Sequence, residues 1–182
     1  FDILYNELHA ISDANVGYDG VALDIDWSSS FVRAKYNYTY DCYGAGISTM
    51  ASRDCYISNN RVKGNKVKTY LPRGQITLTD FQADKNPLKM TGISGYGVNQ
   101  NLIYVDVSGT SAFGGYIATE GKGWVKNSFV GNRIVMKNYT DTRMINMVGN
   151  ARIDTFEDNY YYTNNKFKAT LEFSKTGYND FT

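Results

Sequence analysis

The sequence predicts an all-β chain, a right-handed parallel β-helix with three short strands in each of about six coils, and three observations carry that prediction. No segment sustains apolar residues at helical spacing over several turns, whereas short runs of period-two alternation recur, separated by Gly, Asn, Asp and Ser. An asparagine recurs in one local context. Between successive copies of that asparagine lie two further strand-like runs, the first usually opened by glycine.

The asparagine segments are ILYNELH at Asn6, AKYNYTY at Asn37, ISNNRVK at Asn60, NQNLIYV at Asn101, FVGNRIV at Asn132 and FEDNYYY at Asn159. Two places on, the residue is usually apolar, with Thr39 the exception. The intervals are 31, 23, 41, 31 and 27 residues, as expected of stacked coils with loops of variable length. In such a stack identical side chains lie about 4.8 Å apart, so buried amides can donate to and accept from their neighbours in a ladder. An antiparallel sandwich, the ordinary alternative for an all-β chain, leaves the asparagine register unexplained. The second strands are GVALDIDW, AGISTM, GQITLTDF, GGYIATE and RMINMVGN, and those leading back to the asparagine are FVRAKYN, RDCYISNN, GWVKNSFVGN and ARIDTFEDN. GYGVNQ and GISGYG have no following helix or Walker lysine and read as turns rather than phosphate loops.

At 182 residues and 42% hydrophobic content, residues 1–182 can bury one sizeable core as a single domain. The 19 basic and 18 acidic side chains leave a net charge of +1, which removes the electrostatic case for nucleic acid. No apolar run approaches the roughly 18 residues of a membrane span, and FDILYNELHA has neither the basic start nor the apolar middle of a signal peptide, so a soluble chain is expected. The chain opens in a strand and stops after KTGYND without a capping segment. A fragment of a longer chain is therefore expected, with the solenoid ends covered by further sequence or an oligomer partner. Cys42 and Cys55 lack zinc-site spacing and fit two buried thiols better than a bridge. The 16 Tyr suit half-buried pleated surfaces and the 17 Gly suit tight turns.

If the asparagine faces the core, period two sends its first and third successors outward. The first outward column then reads Glu7, Tyr38, Arg61, Leu102, Arg133, Tyr160, and the second His9, Tyr40, Lys63, Tyr104, Val135, Tyr162. Leu8, Val62, Ile103, Ile134 and Tyr161 form the buried column between them. Tyr38, Tyr40, Arg61, Lys63, Tyr104, Arg133, Tyr160 and Tyr162 suit an extended acidic glycan, rings stacking on sugars while cations meet carboxylates. Aromatic ladders that merely stabilise stacked coils are the competing explanation.

In GVALDIDW, alternation buries Val21, Leu23, Ile25 and Trp27 and exposes Ala22, Asp24 and Asp26. Glycoside hydrolysis needs two carboxyls roughly 5 to 9.5 Å apart. Same-face strand neighbours about 7 Å apart meet that condition. Asp24 and Asp26 are thus the candidate acids, with Asp41 and Asp19 near in the coil path. The same Asp-x-Asp pattern also suits Ca2+ or a capped turn. A lyase would instead use a base and a cation, for which Arg61 and Lys63 with Lys35 or Lys66 are available. His9, the only histidine, reads as an exposed strand residue. The sequons at Asn37 and Asn138 matter only in a eukaryotic secretory host, and Asn37 is expected to be buried.

The run ALDIDWSSSFVRAKYNYTYDCYGAGI resembles the segment of secreted bacterial right-handed β-helix repeat proteins in which an Asp-hydrophobic-Asp strand leads to Tyr-Asn-Tyr and Gly-x-Gly. NQNLIYVDVSG, KNSFVGNRIV and FEDNYYY are similar to later coils of that group, so the resemblance covers most of the chain. At YTYDCYG it departs from the Ser-His-Asp usual there, and no role of that histidine carries over. The resemblance implies a polysaccharide partner, a location outside the cell or on its surface, and polysaccharide lyase or glycoside hydrolase activity. Because phage tailspikes share the fold, a non-catalytic glycan-binding module or a virion tail protein is the alternative.

Overall fold

The computed structural model describes residues 1–12, 20–26, 29–63, 65, 74–79, 97–105, 113–119, 127–136, 143–149, 153–163 and 170–173. Among these residues there are eighteen strands and no helix. The first coil contributes β1 (Asp2–Leu4), β2 (Glu7–His9) and β3 (Leu23–Ile25), and the second β4 (Arg33–Lys35), β5 (Tyr38–Tyr40) and β6 (Ile47–Met50). Then follow β7 (Tyr56–Ser58), β8 (Arg61–Lys63) and β9 (Gly74–Thr79), and β10 (Gly97–Asn99), β11 (Leu102–Val105) and β12 (Phe113–Thr119). The last are β13 (Ser128–Val130), β14 (Arg133–Met136), β15 (Arg143–Gly149), β16 (Thr155–Glu157), β17 (Tyr160–Thr163) and β18 (Thr170–Phe173).

Every third strand joins the same sheet, giving three sheets of six parallel strands: A from β1 to β16, B from β2 to β17 and C from β3 to β18. The chain visits A, B and C in rotation six times, and each strand pairs with its counterparts in the adjoining coils. All-β parallel sheets stacked in this way are consistent with a β-solenoid. The five second-strand runs all fall in sheet C and the four returning runs in sheet A, as the sequence predicts. GYGVNQ is corrected in part, because Gly97–Asn99 is strand β10 of sheet A. A Cβ on Gly97 would lie 2.8 Å from Cδ1 of Tyr56, so the glycine admits a neighbouring ring rather than a turn. Most of GISGYG lies outside the described residues.

The core is a set of columns that run through the coils. In sheet A, Ile3, Ala34, Ile57, Val98, Phe129 and Phe156 are paired in register, the middle four buried. In sheet B, Leu8, Thr39, Val62, Ile103 and Ile134 form the predicted inward column. The side chain of Tyr161, the expected last member, lies outside the described residues. Leu23 and Ile25 of sheet C are buried while Asp24 and Asp26 are exposed, as alternation requires. Val21 is only half-buried, and Trp27 is outside the described residues. Cys42 and Cys55 are buried thiols, their Sγ atoms 3.3 Å from the Tyr40 carbonyl and 3.1 Å from that of Arg53.

The repeated asparagine sits at every A-to-B corner. Asn60 shows the pattern: its Oδ1 accepts from the backbone N–H and Nδ2 of Asn37 at 2.9 and 3.1 Å, and its Nδ2 donates to Ala34 O and Asn101 Oδ1 at 2.9 and 3.0 Å. Asn37, Asn101 and Asn132 repeat it, so each of these buried amides fills both acceptor and both donor positions. Just before each asparagine stands a residue with positive φ: Tyr5, Tyr36, Asn59, Gln100, Gly131 and Asp158. For a non-glycine residue that conformation costs roughly 1–2 kcal/mol. Four hydrogen bonds at a net ~1 kcal/mol each outweigh it.

A second set of buried amides carries no sequence register. Asn65 Oδ1 accepts from the Cys42 N–H at 3.1 Å, and Gln75 Oε1 accepts from the N–H and Nδ2 of Asn65, both at 3.0 Å.

Candidate functional site

Sheet B places the two outward columns as the asparagine register requires. Glu7, Tyr38, Arg61, Leu102, Arg133 and Tyr160 are paired in sequence, and so are His9, Tyr40, Lys63, Tyr104, Val135 and Tyr162. Arg61, Lys63, Arg133, Tyr160 and Tyr162 are exposed, whereas Tyr38, Tyr40 and Tyr104 are half-buried.

The two ends of this face differ in how far its side chains are already engaged. At the N-terminal end His9 stacks on Tyr40 with centroids 4.8 Å apart, and Tyr40 on Tyr38 at 4.7 Å. The Arg61 guanidinium lies 5.0 Å from the Tyr38 ring centre and the Lys63 ammonium 5.9 Å from that of Tyr104. These are coil-to-coil cation–π contacts. Tyr40 donates its phenol O–H to Glu7 at 2.9 Å, and this bond, with lesser desolvation and charge effects, raises the phenol above the usual tyrosine value. On sheet A, Arg33 forms a two-pronged pair with Asp2 at 2.5 and 2.7 Å, and that hydrogen bond holds the carboxyl below its usual value.

Toward the C-terminal end the face opens into a groove of about 700 Å³ along the A-to-B corner. Arg133 and Tyr160, both nominated by the sequence, line it beside Leu102. Its other polar walls are Asn59, Gln100 and Asp158, and its floor includes Gly131. Tyr160 is 67% exposed. Neither Arg133 nor Asp158 takes part in an ion pair among the described residues. The periodic reading missed Asn59, Gln100 and Asp158, which immediately precede repeated asparagines. The signal was available, because a residue at an inward asparagine's corner with positive φ has to project outward.

The candidate acids are not brought to this groove. Asp24 and Asp26 are exposed on the first strand of sheet C and just beyond it, and Asp41 is exposed at a left-handed position (φ 52) after β5. Asp41 lines a smaller cavity of about 140 Å³ with Ala10, Ile11, Ser12 and Tyr43, and neither Asp24 nor Asp26 lines either cavity. Asp19, Lys66 and Asn138 lie outside the described residues, while Asn37 is buried as expected. Among the described residues no group of three or more His, Cys, Asp or Glu side chains is placed to hold a metal ion, and no helix is long and apolar enough to cross a membrane. No family model, curated protein or solved structure matches the chain.

Proposed function

We propose that the chain is a carbohydrate-facing right-handed parallel β-helix, similar to the secreted bacterial repeat proteins, that binds an extended acidic polysaccharide outside the cell or on its surface. The rotation through three parallel sheets supports the fold, and parallel strands joined by crossovers are right-handed in nearly all cases. One observation carries the function: the corner groove gathers a cation, an anion, two amides and an exposed tyrosine, with its two charges unpaired among the described residues. Such a mixture suits a hydroxyl-rich, carboxylate-bearing ligand, since the tyrosine offers a stacking face and the polar groups offer donors and acceptors. The groove also runs into the sheet B columns, whose exposed Arg61 and Lys63 extend the cationic character along the coils.

Cleavage is the second reading, favoured by two exposed carboxylates, Asp24 on β3 and Asp26 just beyond it, since strand neighbours two apart stand about 7 Å from each other, a spacing suited to a sugar. Incubation with acidic and neutral polysaccharides tests both readings. New reducing ends without ultraviolet-absorbing products mark hydrolysis, and both signals together mark a lyase. Saturable binding with neither signal leaves a binding module, and absence of binding to every polysaccharide overturns the proposal. A detected activity that survives both Asp24→Asn and Asp26→Asn places the chemistry elsewhere.

A further inference from the structure

The A-to-B corner row carries a side chain at every coil but one. Tyr5 and Tyr36 stack with ring centres 5.1 Å apart and planes within 6°, and Asn59 Nδ2 donates to Gln100 Oε1 at 3.2 Å. Next comes Gly131, at φ 66, and then Asp158. Gly131 is the one member of the row without a side chain, so Gln100 and Asp158 face each other across two coil rises, roughly 9.5 Å at about 4.8 Å per strand. There is room for a small side chain above the glycine: a Cβ there would make ordinary van der Waals contact with Gln100 alone, at 3.4 Å from Cγ and 3.9 Å from the backbone nitrogen. The notch is therefore a gap in an otherwise filled ladder, and it lies within the groove.

We infer that this notch over Gly131 is a subsite for a single uronate ring, with Arg133 taking the carboxylate and Asp158 and Gln100 taking ring hydroxyls; the inference rests on the glycan-facing function proposed above. Arg133 enters the groove from the sheet B side in the same coil as Gly131, and a guanidinium matches a carboxylate with two parallel N–H donors. Asp158 accepts from hydroxyls without being consumed by Arg133, since the two form no ion pair in the structure. The Gln100 amide can both donate and accept, as a hydroxyl requires. Tyr160, paired in register with Arg133, supplies the stacking face for the adjoining sugar.

The test is calorimetric binding of an oligogalacturonate and of the matching neutral oligogalactan. Gly131→Asn fills the notch, and asparagine already occupies a left-handed position of this same row at Asn59, so the fold is kept. The expected result is a folded chain whose thermal midpoint falls by only a few degrees, as the left-handed position requires of a non-glycine residue, with at least a ten-fold loss of oligogalacturonate affinity. Arg133→Gln, an exposed change, should abolish the preference for the uronate over the neutral oligomer while weak binding persists. If the native chain binds the uronate and both variants bind it equally well, the notch assignment is wrong and the glycan-facing function stands. If the native chain binds neither oligomer, the notch assignment falls, and the glycan-facing function falls with it only when every acidic and neutral polysaccharide of the wider panel also fails to bind.

Discussion

The A-to-B corner is two residues long in all six coils, whereas the connections entering and leaving sheet C run from five to seventeen residues. The difference lies in what each has to satisfy. In the four inner coils the two-residue corner places one left-handed residue outside and one buried asparagine inside, and that asparagine's four hydrogen bonds fix the coil above and the coil below. Among the described residues the longer connections carry no shared bond of this kind; the buried Cys42, Asn65 and Gln75 chain joins residues separated by 23 and 10 positions and has no counterpart there at a constant interval. Loop length is thermodynamically cheap, with each doubling adding only ~0.6 kcal/mol, so coils can differ there. A corner that carries the ladder cannot.

The comparison is most easily broken at the ladder. Asn101→Leu removes all four bonds of the amide: the Asn60 N–H is left without its acceptor, and Asn60 Nδ2, Ile57 O and Asn132 Oδ1 each lose one buried partner. At 1–3 kcal/mol each, partly relieved by relaxation, a loss of about 4 kcal/mol is expected in urea unfolding. A loss below about 1 kcal/mol would show the ladder to be decorative. On the variable side the tightest point is Gly46, where a Cβ would meet Cγ1 of Val62, Oγ1 of Thr39 at 2.5 Å and Nδ2 of Asn65 at 2.6 Å. Gly46→Ala should cost about 2 kcal/mol by overpacking, less than the ladder change although the contacts are closer.

A smaller effect of opposite sign is expected at Thr39, the polar member of the inward column, whose Oγ1 is buried without a hydrogen-bond partner. Thr39→Val should raise stability by about 1 kcal/mol, since the shape is kept and an unsatisfied hydroxyl is removed. The smallest effects belong to exposed pairs. Glu7 raises the Tyr40 phenol, so the contribution of that bond is complete below the ordinary tyrosine value of 10.0 and is lost as pH rises through the folded pKa. Arg33 depresses Asp2, so its contribution is present above 3.8 and is lost as pH falls through the folded pKa. Glu7→Gln should return the Tyr40 titration, followed by NMR, toward the tyrosine norm with little change in the midpoint of unfolding.

Strand positions were legible wherever one residue type repeated in one context. Asn6 through Asn159 marked the corner, and parity alone then assigned both outward columns and the burial of Val62, Ile103 and Ile134. β10 was not legible, because a glycine that accommodates a ring from the coil below is written with the same letter as a glycine that makes a turn. Asp24 and Asp26 were read correctly as exposed, yet adjacency in sequence did not bring them to the groove.

What the sequence determined by itself is the inward asparagine and, through period-two geometry, the side chains that face outward from it. Only the tertiary structure decided that those faces meet a groove, which arises because Gln100, Gly131 and Asp158, each about one coil apart along the chain, are stacked side by side with the middle side chain absent. A missing side chain creates a site only through the neighbours on either side of it, and which residues become neighbours is set by coil lengths and register.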